Sequence, residues 1–582
     1  MVRKANYDKF PFVAAGARNE CAVGWDAIGL HLAGARVVCV ECYPAAQVDD
    51  LQSELAQRLR PDTVICASDA YKDVAAIRAM LATHLGVDRV FGRMNGLMLD
   101  DWFDPKALQR MRKEVIAATA QGTVLVIGSG AALLAPECDV LIYADMARWE
   151  IQLRYRRFDM GNLGCDNKEA SFAEKYKCGF FVEWRAADRL KKQILPLIDF
   201  LLDTNDAHTP KMIRGEELRK ALAHTAQRPF RVVPYFDPGP WGGHWMEEVC
   251  DLPGGVPNYA WCFDCVPEEN SLLLGYGEER IEVPAIDLVF THPRELLGDA
   301  VHGRFGTEFP IRFDFLDTMG GGNLSLQVHP LTEYIQDKFG MHYTQDESYY
   351  LLDASPGAVV YLGLKDDIDR EAMAYDLHEA QTDGGDFPAD TYVNQFPAQA
   401  HDHFLIPAGT IHCSGKDSMV LEISATPYIF TFKLWDWGRM GLDGRPRPIH
   451  IEHGLANIQW DRTTEWTRKN LVDTVRPVGA GDGWREEVTG LHEREFIETR
   501  RHWFTGTVPH DTHGGVNVLN LVQGEEAVIE SPSGAFEPYV VHYAETFIVP
   551  AAVGKYTIRP HGTAVGKECA TIKAFVRTES GA

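Results

Sequence analysis

This sequence predicts two architectures in series: a doubly wound α/β unit built on a parallel sheet, then an all-β region of barrel character. Three observations carry the division. Short apolar runs alternate with stretches of helical spacing through residue 203 or so. After residue 230 the character changes to short strands, turns and many aromatics. A chain of 582 residues is also too long for one core, so about three domains are expected. The reading sets an α/β domain at 1–204, a linker at 205–230, a metal-binding β domain with helical insertions at 231–487, and a C-terminal β domain at 488–582.

In the first domain, Arg36–Tyr43, Thr63–Asp69, Thr123–Gly128 and Asp139–Asp145 read as short buried strands. Val48–Leu59 and Ala75–Leu85 between them have helical spacing, and the alternation implies a parallel sheet covered on both faces. Lys175–Asp203 reads as further helix, kinked or split at Pro196. The polar stretch from Asn205 to Pro229, punctuated by Pro210 and Gly215, reads as the linker.

Composition excludes several functions. The content is 45% hydrophobic and 24% charged, ordinary for a soluble globular protein. A net charge of −26 argues against nucleic-acid or anionic-membrane partners, although one or two local cations could still hold a small anion. No apolar run reaches the roughly 18–20 residues that cross a bilayer, and Met1–Tyr7 lacks a signal-peptide core, so a cytoplasmic location is expected. Two cysteine pairs have CxxC spacing, Cys39/Cys42 and Cys262/Cys265. They fall in different domains, and strand alternation turns the first pair to opposite faces, so buried thiols are expected.

The order of pieces in the first domain resembles the P-loop nucleoside and sugar kinase family: strand, loop, helix, then Asp69–Asp73, Asp101–Pro105 and an Arg-rich helix with Arg154, Arg156 and Arg157. The loop Cys42–Asp50 departs from that family, having no glycines and no lysine for phosphates and carrying two aspartates that repel them. A pseudo-kinase domain is expected. The three arginines are read as a solvated helix face with carboxylate partners in preference to a phosphate clamp.

The chemistry concentrates in Gly321–Pro330. Its alternation is that of a strand that points Gln327 and His329 from one face. Glu347 lies in another strand-like run, Asp346–Leu352, and His412 ends Ile406–His412. One carboxylate, two imidazoles and an amide oxygen on separate strands of a barrel suit zinc or another borderline divalent ion, with a position left open for substrate.

From residue 231 to 580 the series resembles a type I phosphomannose (mannose-6-phosphate) isomerase of the shorter prokaryotic form. The resemblance rests on Phe309–Asp317, Leu324–Pro330, Tyr349–Ala358, Ile406–His412, Leu421–Ile423, Leu434–Arg439 and His450–Glu452. It implies tandem cupin (jelly-roll) barrels, zinc held by Gln327, His329, Glu347 and His412, and aldose–ketose isomerisation through a cis-enediol, in the manner of mannose 6-phosphate and fructose 6-phosphate. That reaction needs a base near the carbon acid and a cation at the enediolate oxygen.

Measured against that pattern, Asp314 stands where lysine is usual, Gln345 where another lysine is usual, Lys433 where arginine is usual, and Cys262 where a glutamate is usual. Asp314, Gln345 and Arg312 are therefore expected at the substrate and Lys433 in catalysis, with Arg312 able to pair with Asp314, and His342 and Arg439 as further candidate cations. His401 and His403 are read as surface histidines. Alternatives are an isomerase or epimerase of an unphosphorylated or differently substituted sugar, and a non-catalytic metal-binding sugar sensor. A small sugar or sugar phosphate is the expected partner. The C-terminal barrel has no histidine at the place equivalent to His412, so it is expected to hold no metal and to serve in packing, possible homo-oligomer contacts included.

Overall fold

A computed structural model describes residues 5–578 except 384–385, 426–427, 442–443, 445–446, 473 and 491. Its first sheet is centred on Val37–Cys42, whose residues are all buried, as expected of a strand covered on both faces. Val124–Gly128 and then Thr63–Cys66 lie to one side, and Val140–Asp145 and then Phe200–Asp203 to the other, all parallel. Helices Val48–Leu59 and Val74–Leu85 follow the first two strands as their spacing predicts. The two aspartate motifs act locally: Asp73 and Asp104 are N-caps, accepting from Ala76 and Ala107 backbone N–H at 2.8 Å.

Two expectations here are corrected. Residues 211–225 are no linker: Lys211–Arg214 pairs antiparallel with Phe200–Asp203 and Cys21–Val23, and the helix Gly215–Thr225 follows it. Asp206, Thr209 and Pro210 fill only the turn that leads into this strand, and the strand itself buries Met212 and Ile213. The helix expected to Asp203 ends at Ile194; after Pro196 the chain enters the buried strand Phe200–Asp203. A four-residue apolar run fits helix or strand, and sheet pairing decided it.

The turn joining Val37–Cys42 to Val48–Leu59 is filled by Tyr43, Ala45 and Ala46, all buried. Lys191 lies over the Tyr43 ring at 5.3 Å, its ammonium held by Asp145 at 2.6 Å and Asp287 at 2.5 Å. The arginines find carboxylates as expected, but only Arg157 is on a solvated face. Arg154 is buried and bonds Glu150 and the Ala45 and Thr204 carbonyls, Arg157 pairs with Glu150 and Asp159, and Arg156 grips Asp237 with two bonds of 2.8 and 2.6 Å.

The second region holds a six-stranded sheet in the order His403–Ile406, Glu347–Ala354, Ser418–Ser424, Arg312–Asp317, Trp261–Cys265, Tyr235–Asp237. A five-stranded sheet runs Val393–Pro397, Val359–Leu364, His412–Ser414, Leu326–Val328, Phe432–Trp435. Glu347 of the first sheet and His412 of the second meet at 2.7 Å, so the sheets enclose a common interior.

A third pair of sheets starts earlier than residue 488, because Arg476–Gly481 and Trp484–Gly490 already belong to it. Its two sheets share a core of Phe504, Leu519, Ile529 and Tyr556.

The parts are tied together. Phe12–Gly16 adds in parallel to Ser271–Tyr276, which pairs with Glu279–Pro284. Arg231 is buried against Glu545 at 2.8 Å, and Asp264 accepts from the Thr546 N–H at 2.9 Å. The twelve cysteines are free thiols, and those of both CxxC pairs are buried. Among the described residues no helix is long and apolar enough to cross a membrane.

Candidate metal centre

Leu326–Val328 lies between two neighbours: Gln327 is opposite His412 on one side and Lys433 on the other. Directly opposed residues share a face, so this one row presents an amide, an imidazole and an ammonium to the interior. His329 follows on the same face, and Glu347 reaches in from the opposing sheet. His329 Nε2 lies 3.1 Å from Glu347 Oε2, and His412 Nε2 lies 2.7 Å from Glu347 Oε1. Ligand atoms of these three residues fall within 4.8 Å of one another, and all three are fully buried.

The unused ring nitrogens fix the orientation. His329 Nδ1 donates to the Phe430 carbonyl at 2.7 Å and His412 Nδ1 to the Thr410 carbonyl at 2.9 Å, leaving both Nε2 lone pairs aimed inward. The Gln327 amide lies 3.2 Å from His412 Nε2; turned about its last bond, it presents Oε1 to the same point.

His329 Nε2 and Glu347 Oε1 are buried without a hydrogen-bond partner, which is costly unless a cation completes them. Two imidazoles, a carboxylate and an amide oxygen are a donor set that fits a divalent transition ion. Burial opposes ionisation of Glu347, yet His329 and His412 hold its carboxyl well below the usual range. Among the described residues no other cluster of His, Cys, Asp or Glu has this geometry, the C-terminal sheets included.

Gln345, expected at the substrate, is engaged at both ends. Its Nε2 donates to Glu347 Oε2 at 3.1 Å, and its Oε1 accepts from the Phe430 N–H at 2.8 Å. With Phe430 bonded to His329, the circuit Glu347, Gln345, Phe430, His329 closes on itself. Sequence reading missed Phe430, which acts through its backbone. Alternation put Gln345 and Glu347 on one face, and that was the available clue.

Arg312 and Asp314 pair at 2.8 Å, as shared facing predicts. Burial raises Asp314 to about 6, offset by Arg312 and reinforced by Glu347. Glu422, opposite Asp314, is pushed well above the carboxylate range by burial and by Glu347 and Asp314. Lys433 is half-buried, and among the described residues its ammonium makes no hydrogen bond or ion pair. Burial, aided by Arg447 nearby, lowers it to about 7.

The other candidates lie apart. Arg439 pairs with Asp436 at 2.5 Å and His342 is exposed. His403 is buried, not a surface residue, and burial lowers it to about 3, while His401 is bonded to the Tyr350 hydroxyl at 2.9 Å.

Arg312 and Lys433 open onto a cavity of about 480 Å³. Trp261, Phe263, Arg447 and His450 line its barrel side, and Arg89, Phe91, Gln152, Arg156, Phe172 and Tyr176 of the α/β domain line the other. Phe91 stacks on Phe430 at 5.1 Å, behind the carbonyl that orients His329.

Residues 24–227 match the family described as a domain of unknown function (DUF8485). The mannose-6-phosphate isomerase of Streptococcus mutans is 23% identical over 319 residues, 54% of this chain and 89% of that protein. Mannose-6-phosphate isomerase ManA of Bacillus subtilis is 23% identical over 40% of this chain and 68% of that protein. Among solved structures, a mannose 6-phosphate isomerase from Bacillus subtilis is similar with a TM-score of 0.48 and 17% identity, over 60% of this chain and 99% of that one. A mutant of the Salmonella typhimurium phosphomannose isomerase is similar with a TM-score of 0.46 and 14% identity, over 60% and 100%. The homology supports an isomerase with its substrate left open, and the chain is a distant homologue of mannose-6-phosphate isomerases over about half of its length.

Proposed function

We propose that the protein is a metal-dependent aldose–ketose isomerase acting on a hexose or hexose phosphate, of the mannose 6-phosphate to fructose 6-phosphate type. The observation that carries this reading is the buried group His329, Glu347 and His412, with unpartnered ligand atoms on His329 and Glu347, beside the sheet row of His412, Gln327 and Lys433, whose lysine lines a cavity. Gln327, His329, Glu347 and His412 would hold the ion, zinc by donor type. When bound, such an ion polarises a carbonyl and stabilises a developing enediolate oxygen.

The rest falls to the chain. Isomerisation breaks a C–H bond at C2 and forms one at C1, while a hydroxyl proton passes to the former carbonyl oxygen, so no co-reactant is needed. Lys433, lowered to about 7, divides between amine and ammonium near neutral pH and is suited to accept a proton and return it. The aromatic walls Trp261 and Phe263 exclude water around it.

The α/β domain serves in this reading as structure and not as a kinase, because side chains fill the turn Tyr43–Gln47 and two carboxylates neutralise Lys191. A second reading, a neutral sugar, is favoured by the Arg312–Asp314 pair, which spends part of one cation's charge internally.

The test is metal analysis of the purified protein followed by NMR of aldoses in D₂O. About one ion per chain and deuterium entry at C2, both lost in His329→Ala, are expected. A metal-free protein, or exchange that is unchanged in His329→Ala, refutes the reading.

A further inference from the structure

We propose that the C-terminal pair of sheets holds a second ligand site, at the place that corresponds to the metal centre, and that this site takes a small anion, a phosphate or a carboxylate. The inference does not rest on the isomerase reading. Its support lies in register, charge and unused polar atoms.

Strand order and register define the place. The six-stranded C-terminal sheet runs Thr546–Val549, Asn517–Gln523, Cys569–Val576, Ile497–Phe504, Trp484–Gly490, Arg476–Gly481, which repeats the topology of the sheet that carries Glu347. Ile406 and Val549 each stand directly before a proline, and Glu347 is opposite Ile406 as Asn517 is opposite Val549. Asn517 therefore has the seat of Glu347. Tyr556 has that of His412: it donates to Asn517 Oδ1 at 2.9 Å and is paired with His510, as His412 meets Glu347 and is paired with Gln327.

Charge is exchanged between the two places. Glu422 lies two residues before the strand partner of Glu347 and is opposite Asp314; Lys573 lies two residues before the strand partner of Asn517 and is opposite Arg500. The carboxylates Glu347, Glu422 and Asp314 thus give way to an amide, an ammonium and a guanidinium, while Glu498 stands in for Arg312. Lys573 is 8% exposed, and among the described residues its ammonium makes no hydrogen bond or ion pair. The carboxylates around it are engaged elsewhere: Glu486 with His502 Nε2 and Arg500 Nη1, both at 3.2 Å, Glu498 with Arg500 Nε at 2.7 Å, and Asp511 with the His513 N–H at 2.8 Å. Burial lowers Lys573 to about 8, an effect that an anion beside it would oppose.

Unused polar atoms complete the case. His510 is 6% exposed, stacked on Tyr556 at 4.9 Å and edge-on to His502 at 4.5 Å, and neither of its ring nitrogens has a hydrogen-bond partner. His502 Nδ1 and Thr571 Oγ1, on opposed residues of one sheet face, are also without partners. Buried groups of this kind are costly when unmet, and beside an unpaired ammonium they fit an acceptor-rich ligand. The same ammonium opposes a metal cation.

The experiment is calorimetric titration of the full metal-loaded chain with inorganic phosphate and with acetate at constant ionic strength. At least one probe should bind at a saturable site that Lys573→Met or His510→Phe weakens about tenfold or more, on protein whose thermal transition remains cooperative. His510→Phe keeps a ring between His502 and Tyr556 and removes no hydrogen bond, so it should melt no lower than the parent. Binding of phosphate alone, acetate alone or both identifies the anion and supports the proposal. No binding of either probe overturns it, as does binding that neither variant weakens to that extent, or that Lys433→Ala abolishes in their place. Zinc analysis of the same samples is the remaining arm: a second ion per chain that is lost in His510→Phe makes the place a cation site and overturns the proposal.

Discussion

Gln345→Leu should loosen the metal centre without touching any ligand. The substitution keeps approximate volume but removes three hydrogen bonds, Nε2 to Glu347 Oε2 at 3.1 Å and to Glu422 Oε1 at 3.4 Å, and the Phe430 N–H to Oε1 at 2.8 Å. It leaves a buried backbone donor unpaired, which costs about 1–3 kcal/mol. It also frees Phe430, whose carbonyl fixes the His329 ring, and with it the aim of Nε2. Loss of such outer partners costs roughly 10- to 100-fold in metal affinity, equivalent to about 1.4–2.8 kcal/mol. Zinc affinity is measured by competition with a chromophoric chelator on protein whose thermal transition remains cooperative. A folded Gln345→Leu protein that binds zinc within about twofold of the parent refutes the claim that the circuit positions the ligands.

Lys433→Ala should lower turnover by about 100-fold or more while shifting thermal stability little; an equal loss of both assigns Lys433 to structure, as comparison of kcat with melting curves decides. Lys191→Met leaves Asp145 and Asp287 facing each other at full burial and should destabilise by about 3–5 kcal/mol in urea unfolding at pH 8. That loss should shrink at pH 5, where one carboxylate takes a proton, and in Lys191→Met combined with Asp287→Asn. Glu41 supplies a pH dependence of its own: burial, opposed by bonds from the Gly130 and Ala132 N–H groups, raises it to about 8 in the fold. A folded value above the unfolded one means stability that is full below about pH 4.5 and is lost as pH rises toward 8, with a slope of up to ~1.4 kcal/mol per pH unit. Glu41→Gln should flatten that slope in urea midpoints taken across the range, and an unchanged slope rules the residue out.

How much of this was legible depended on range. Strands of the parallel sheet were readable because both of their faces are buried, so that Val37–Cys42 is apolar without interruption. The four candidate ligands were readable because strand alternation fixes facing, and Gln327 and His329 need only that. Lys211–Arg214 was not readable, since a four-residue strand with Lys and Arg at its ends looks like a loop until its two neighbours are known. The far wall of the cavity was out of reach altogether. Arg89, Gln152 and Tyr176 lie more than 250 residues before Lys433 in the sequence, and only tertiary packing brings them to the same cavity. His403 misled because a polar turn residue that enters a strand gives no local sign of burial.

The parallel pairing of Phe12–Gly16 with Ser271–Tyr276 bears on how the chain is made. Its partner emerges from the ribosome about 260 residues later, on the order of 10–50 s at ~5–20 residues per second. Through that interval the first strand waits with an open edge while the α/β sheet behind it can already close. Chains interrupted between residues 230 and 270 should therefore carry an unsatisfied strand at their start, a template for aggregation, and the two halves of this protein should be recovered in soluble form only when they are synthesised together.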